Sequence, residues 1–236
     1  TDQAHACGIE GGKMVRTYHD PVVWMTDGGS LNWKSVEGWE LNELRAEQFL
    51  ADALSLNPSG AGAMALKACN QMARWSEYRD VSAVISNQVD AGDADESELS
   101  NLRGRELEMQ RVRSSAYSMT PEVVDAAVEI ALTDRRPQAA IELIKTLESF
   151  DYSSGTSAVP GSVIRALTYD HRGVRFAAAH AVAFMGAAPG FSNSDQVVPN
   201  LAEGLADASR KVALTIFPDQ DDALRVGALL ARANIE

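Results

Sequence analysis

The chain has 236 residues, 45% of them hydrophobic, and carries 33 acidic against 21 basic side chains, for a formal net charge of −12. This apolar content can form a continuous core, while the excess negative charge repels phosphate backbones and argues against nucleic-acid binding. Few aromatic residues and abundant alanine favour a mostly α-helical fold, and no apolar run reaches the roughly 20 residues that a membrane-spanning helix needs.

Residues 1–36 form an N-terminal extension whose pattern differs from the rest of the chain. The β-prone runs 22–26 (VVWMT) and 31–36 (LNWKSV) flank the turn sequence DGGS, which predicts a short β-hairpin. Two strands alone are only marginally stable in water. We therefore expect Trp24 and Trp33 to pack against a neighbouring helix or another part of the protein, and they are also candidates for an interaction surface.

Residues 37–118 form a helical region. A first amphipathic segment ends at NPSG (57–60), and a second, AGAMALKACNQMARWSEY (61–78), follows at once. The two segments, with ADALSLNP closing the first, resemble a tetratricopeptide (TPR) helical hairpin. The residues expected on the buried faces are Leu41, Leu44, Phe49, Ala53 and Leu56 in the first helix and Met64, Ala68, Met72 and Trp75 in the second.

The second half of this region is less regular. The segment DVSAVISNQV (80–89) predicts a separate short helix or strand. An acidic insertion follows at 90–98, where the alternation of Asp93 and Asp95 matches the start of an EF-hand calcium loop. Since the glycine and the bidentate glutamate of such a loop are not both in place, a solvated acidic segment is the favoured interpretation.

Residues 119–209 contain a structural repeat. Thr120 opens one helix and Pro137 a second, and the sequence ALT recurs at Leu132 and Leu167, which are 35 residues apart. A third, partial cycle follows 38 residues later in VVPNLAEGLADASRK. A helix, a tight turn and a second helix with a period in the high thirties predict an α-solenoid of stacked helical hairpins.

The segment VIRALTYDHRGVRFAAAHAVAFMG resembles a HEAT repeat, with Asp170 in the turn and Val174 and Arg175 opening an alanine-rich second helix. The resemblance implies that Asp170 accepts hydrogen bonds from backbone N–H groups at the start of that helix. It also implies that Arg175 clamps adjacent repeats. Asp134 and Asp207 occupy the corresponding turn positions of the other two units.

Residues 210–236 change pattern once more. KVALTIF (211–217) predicts a strand, and the segment after it predicts an amphipathic helix, so a C-terminal β-α unit is expected. The order of segments resembles the middle of large bacterial HEAT-repeat proteins, in which a Rossmann- or receiver-like unit follows the last solenoid helix. That resemblance implies a fragment of a longer protein, whose β-α unit begins a further domain or caps the solenoid.

An enzymatic interpretation would use Asp170, His171 and His180, with Asp195, as metal ligands or a general-base pair. Two ligands on one helical face stand three, four or seven residues apart. The two histidines are nine residues apart in the sequence, which favours structural roles for both.

The N-terminal extension holds two other weak candidates for a site. His5, Cys7 and His19 include the groups of a thiolate–imidazole pair, but nothing in their spacing fixes a common geometry. GIEGGK (8–13) lacks the complete GxxxxGK[ST] pattern of a phosphate-binding loop. No metal or cofactor is therefore expected.

The sequence thus predicts a mostly α protein that acts as a non-catalytic scaffold for other proteins, in the cytoplasm or associated with the cell envelope. Stacked helical hairpins expose an extended surface, and the acidic balance suits basic or polar protein segments. The alternative is a structural subunit, held in a larger assembly or against the remainder of its own parent chain. A metal-dependent enzyme is the least favoured interpretation.

Overall fold

The computed structural model describes residues 7–10, 13–16, 22–27, 30–92, 95–150, 159–187 and 190–208. This part of the chain is mostly helical, as the composition predicts. The helices are α1 (Leu41–Leu56), α2 (Ala61–Asp90), α3 (Glu96–Gly104), α4 (Glu106–Tyr117), α5 (Pro121–Thr133), α6 (Pro137–Glu148), α7 (Gly161–Ala166), α8 (Arg172–Phe184) and α9 (Val197–Ala208). None of these described helices combines the length and apolar character needed to cross a membrane. The β-α unit expected for 210–236 lies outside the described residues, as do His5 and His19.

Two antiparallel strand pairs precede the helices. Strand β1 (Cys7–Glu10) pairs with β2 (Lys13–Arg16), although the sequence of this segment has no clear hairpin pattern. Strand β3 (Val22–Asp27) pairs with β4 (Ser30–Ser35) in the segment for which the sequence predicts a hairpin.

The strand pair β3–β4 rests on α1 through its small aliphatic side chains, not its tryptophans. Val23 is buried with Val36, Leu41 and Leu44 in a small apolar cluster. Trp24 and Trp33 are opposite each other in the register but stay 58% and 63% exposed. Successive side chains of a strand point to opposite faces, so burial of Val23 turns Trp24 outward. No described helix therefore buries the two tryptophans, and their packing against another part of the protein stays a prediction.

Helix α1 is buried only at its beginning. Leu41, Glu43 and Leu44 are its buried residues, whereas Phe49 and Leu56 are 75% and 88% exposed. The apolar spacing alone predicts burial of the whole stripe, including Ala53, which is exposed as well. The helix continues past the elements that cover its first turn, so the later apolar side chains meet solvent.

Helix α2 is one continuous helix of 30 residues, about 45 Å long. The prediction of a separate short helix or strand over 80–89 is therefore wrong. That segment contains no proline or glycine, and nothing in it interrupts the helix. The helix ends near Gly92, whose φ of 76° suits glycine. Such a helix is nearly as long as a whole 34-residue TPR unit, unlike the two short helices of that resemblance.

The acidic segment after α2 initiates the next helix. Asp95 is the N-cap of α3, and its Oδ1 accepts a hydrogen bond of 3.0 Å from the backbone N–H of Ser97. A carboxylate in this position satisfies one of the free amides at the helix start.

Helices α5 to α8 pack together in one group. Helix α5 packs against α6 and α7 against α8, while α5 also contacts α7 and α6 contacts α8. Helix α9 continues the stack against α8, and α2 covers its other end through α5 and α6. The shared core consists largely of alanines with a few larger aliphatic residues, and small side chains let helix axes approach closely. Its fully buried members include Ala127, Ala131, Ala140, Ala166, Ala178, Ala181, Leu143, Ile144, Leu147 and Leu167.

Candidate functional site

The repeat residues lie at or near turns between the helices. Val174 is fully buried, whereas Asp134 and Asp170 are exposed. The N-cap of α8 is His171, whose side chain makes no capping hydrogen bond. Asp170 precedes this N-cap by one residue, and the capping role that the resemblance implies for it stays a prediction. The side chain of Asp207 lies outside the described residues.

Arg175 of α8 contacts both the turn before its own helix and helix α9. Its Nη1 donates hydrogen bonds to the carbonyl oxygens of Tyr169 and Asp170, at 3.0 and 3.2 Å. Its Nη2 donates to both carboxylate oxygens of Glu203 on α9, at 3.0 and 2.8 Å. One guanidinium thus joins the turn before α8 to the next helix of the stack.

Other polar contacts join the same successive units. The Tyr169 hydroxyl donates to the carbonyl of Leu132, 37 residues earlier, at 3.1 Å. The amide nitrogen of Asn200 donates to the carbonyl of Leu167, 33 residues earlier, at 2.9 Å. Both contacts thus link residues that are more than 30 positions apart in the sequence. Their role is structural, because backbone carbonyls near helix ends need a donor when they are buried.

The candidate metal ligands are not brought together. His171 is the N-cap of α8, and His180 lies nine residues later in that helix, about 13.5 Å along its axis. The Nδ1 of His180 is 3.0 Å from Oε1 of Glu148, and its ring stacks with Phe184 at a centroid distance of 6.5 Å. Asp195 lies before α9 in a short 3₁₀ turn. Within the described ranges, no three histidine, cysteine or acidic side chains are placed to hold a metal ion.

Cys69 is a structural thiol. It is 4% exposed in the main core. Burial, opposed by the charge of Arg136 and assisted by that of Asp134, raises the pKa of the Cys69 thiol to about 11. A thiol that stays protonated at neutral pH is a poor nucleophile.

Three large aromatic residues, Trp24, Trp33 and Phe49, are exposed on the first elements of the described chain, and we call them the aromatic patch. These side chains are 58%, 63% and 75% exposed. Trp24 and Phe49 line one groove of about 480 Å³, together with Leu44 and polar residues of α1. Neighbouring large aromatic side chains left in solvent on a folded surface are typical of interaction sites.

Two acidic residues of α1 line the groove beside the aromatic patch. They are Asp52 and Glu47, and Glu47 is also paired with Arg74 at 3.1 Å. The side-chain amide of Gln48 donates a 2.7 Å hydrogen bond to the Trp24 carbonyl, which ties β3 to α1. The patch therefore sits on two elements that are held together independently of the exposed rings.

A charged junction, formed by Glu40, Arg74, Glu47, Arg105 and Glu108, lies behind this surface. Arg74 is only 3% exposed and donates to Glu40, Glu47 and Glu108 at 3.1, 3.1 and 2.8 Å. Arg105 pairs with the second oxygen of the fully buried Glu40. The junction joins α1, α2 and α4, and its Arg74 holds the Glu47 carboxylate in place. Hydrophobic periodicity carries no signal for it, since its members are charged residues spread over about 70 positions of the sequence.

Comparison of the chain with protein-family models, curated proteins and solved structures gives no match. The HEAT and TPR resemblances therefore remain resemblances of short segments.

Proposed function

We propose that this chain is a non-catalytic protein-interaction module whose aromatic patch binds an apolar segment with basic residues on another protein. The observation that supports this most is the placement of Trp24 and Phe49, from a strand and a helix, along one groove with two acidic residues in its lining. Tryptophan is among the residues that most often dominate binding energy at protein interfaces.

Burial of the exposed rings supplies the attraction. An aromatic side chain buries roughly 150–250 Å² when it is fully covered. At about 25 cal/mol per Å², covering the exposed parts of Trp24 and Phe49 contributes several kcal/mol before the cost of association is subtracted. This free energy is in line with a partner that binds with low to moderate affinity.

Charge supplies the selection of partners. Glu47 and Asp52 flank the groove, and the whole chain carries a net charge of −12. Basic side chains on a partner would be steered toward this surface, and acidic segments would be repelled. Because the hydrogen bond between Gln48 and Trp24 and the buried charged junction fix the groove in advance, little ordering is needed on this side of the interface.

Selection from a random peptide library displayed on phage tests the proposal, with the immobilised full chain as bait. We expect enriched peptides to combine aromatic or aliphatic residues with lysine or arginine. The selected peptides should bind Trp24→Ala and Phe49→Ala at least tenfold more weakly. Both substitutions replace exposed side chains, and the hydrogen bond to residue 24 uses its backbone, so the fold should persist in both variants.

Phe184→Ala is the matched control, because this ring is 69% exposed on α8, far along the chain from the patch. It should bind the selected peptides as tightly as the unmodified chain. Equal binding by the two patch variants, or selection of acidic peptides, would contradict the proposal. The alternative of a structural subunit would be favoured if the chain sediments only as a stable oligomer and its tryptophan fluorescence shows that solvent does not reach the rings.

A further inference from the structure

A second concave site lies between α1, α2 and the start of α6. It is a cavity of about 340 Å³, a size typical of small-ligand pockets. Its polar lining comes from Glu43 on α1, Glu77 and Asp80 on α2, and Arg136 just before α6. Its apolar walls are Ala73, Pro137 and Ala139, and Ser76 and Gln138 complete it.

The carboxylates of this cavity are incompletely neutralised. The Glu43 side chain is 8% exposed, and its nearest cation in the described part of the chain is Arg136, with Nη1 3.8 Å from Oε1. That distance is too long for a hydrogen bond. No hydrogen bond from a described residue reaches the carboxylate of either Glu43 or Glu77. The Glu43 carboxylate is thus nine-tenths buried beside the cavity with one cation 3.8 Å away, an arrangement that a further positive group in the cavity would stabilise.

A nearby glutamate shows the contrast. Glu142 of α6 is 2% exposed and accepts hydrogen bonds of 2.8 Å from Arg79 and 2.9 Å from Lys145. Burial would raise the pKa of Glu142, but the hydrogen bonds and charges of Lys145 and Arg79 lower it overall. Glu142 thus has two hydrogen-bonded cations, whereas Arg136 is the cation near both Glu43 and Glu77 and forms no hydrogen bond with Glu43.

Titration of Glu77 is in line with this shortage of positive charge. Burial, then the charge of Glu43, raises the pKa of Glu77 to about 7, with smaller contributions from Glu40 and Asp80, while Arg136 opposes the rise. These are the charged groups that face Glu77 from the adjoining elements. Part of the Glu77 population is therefore protonated at neutral pH, and a bound cation would displace that proton.

We propose that this cavity binds an ammonium or guanidinium group carried on a short alkyl chain, as in lysine, arginine or a free alkylamine. The carboxylates of Glu43 and Glu77 would pair with the charge, and the wall of Ala73, Pro137 and Ala139 would cover the methylene groups. A metal ion is a poorer occupant, since the described residues include no three ligands close enough to hold one. The site is separate from the aromatic patch, so the proposal does not depend on the proposed function.

Titration of the ¹⁵N-labelled full chain tests the proposal by NMR at pH 8. The probes are N-acetyl-lysine methylamide, N-acetyl-arginine methylamide, butylamine and uncharged N-acetyl-norleucine methylamide. We expect saturable shifts of the Ser76 and Gln138 amides with the cationic probes only. Tighter binding of the blocked amino acids than of butylamine would assign the site to a protein side chain, and the reverse would assign it to a free amine.

Two variants and one control complete the test. Glu77→Gln copies the protonated state and should retain the fold, so the affinity for the cationic probes should fall at least tenfold. Glu43→Gln provides a second variant with the same expected loss. Glu96→Gln, an exposed carboxylate on α3, should leave the affinity unchanged. Lowering the pH from 8 to 6 should weaken binding severalfold, because Glu77 takes up its proton.

Three results would overturn the inference. One is the absence of saturable shifts with every cationic probe at pH 8. Another is equal binding of the norleucine probe, which would show that the alkyl chain alone is recognised. The third is unchanged affinity in both Glu77→Gln and Glu43→Gln. None of these results involves the aromatic patch. They would therefore leave the proposed function, which the peptide selection tests, unaffected.

Discussion

The helical stack α5–α8 and the charged junction are both buried, but they are held together by opposite means. In the stack, small apolar residues such as Ala140 and Ala178 are fully buried against one another. In the junction, the fully buried Glu40 is paired with Arg74 and Arg105. The comparison shows that these two buried regions depend on different kinds of complementarity, one of shape and one of charge.

This difference determines what each region tolerates. A packed apolar core loses stability when volume changes, by an amount that depends on how well its neighbours adjust. A buried ion network gives little net stability when it is complete, yet it becomes very costly when one partner is removed, because the remaining charges stay buried. Substitution in the two regions should therefore separate these mechanisms.

Arg74→Met should have the largest effect. The change keeps the length and much of the volume of the side chain but leaves Glu40 with one cation in place of two. Loss of one partner from a buried pair costs about 3–5 kcal/mol. Urea denaturation followed by circular dichroism should show this as a lower midpoint for the variant.

The control for Arg74→Met is Arg165→Met. Arg165 pairs with Glu129, but both side chains are partly exposed to solvent, by 51% and 38%. An exposed pair is worth about 1 kcal/mol or less. Similar midpoints for the two variants would mean that removing a cation from the buried junction costs no more stability than breaking a surface ion pair.

Ala178→Leu tests the other region and should have an intermediate effect. Ala178 is fully buried in α8, in the core shared with α6, and three additional heavy atoms have no free space there. Overpacking of this kind costs about 1–3 kcal/mol. Ala183→Leu, on an exposed position of the same helix, should change the stability by no more than about 0.5 kcal/mol. If both variants melt together, the α6–α8 contact is looser than the structure describes.

The sequence predicted the stack much better than the junction. The buried residues of α5, such as Val123 and Ala127, and of α6, such as Ile144 and Leu147, follow a 3.6-residue period that is visible in the letters. Phe49 follows the same period on α1 and is exposed. Periodicity identifies a helical face that can be buried, but only tertiary structure decides whether another element covers it.

The candidate sites were harder to predict for the same reason. Trp24 was singled out as part of an interaction surface, yet its proximity to Phe49 depends on how β3 lies on α1. The cavity at Glu77 was missed altogether, because Glu43, Glu77 and Arg136 come from three helical regions and read individually as surface charges. Charged residues brought together by long-range packing leave no local pattern in a single sequence.

Arg175→Ala should have the smallest effect, and a local one. The side chain is 23% exposed and its partner Glu203 is 43% exposed, so solvent weakens the pair and the expected loss is about 1 kcal/mol or less. Hydrogen exchange of the α9 amides is the sensitive measurement, because Arg175 fastens this helix to the turn before α8 and the core of the stack does not depend on it. A loss of about 1 kcal/mol raises the population of the open state of α9 roughly fivefold. A double-mutant cycle with Glu203→Ala then separates the ion pair from the bonds that Arg175 makes to the Tyr169 and Asp170 carbonyls. If the two substitutions are additive, the guanidinium acts only on its own turn, and α9 is held to the stack by its apolar face and by Asn200.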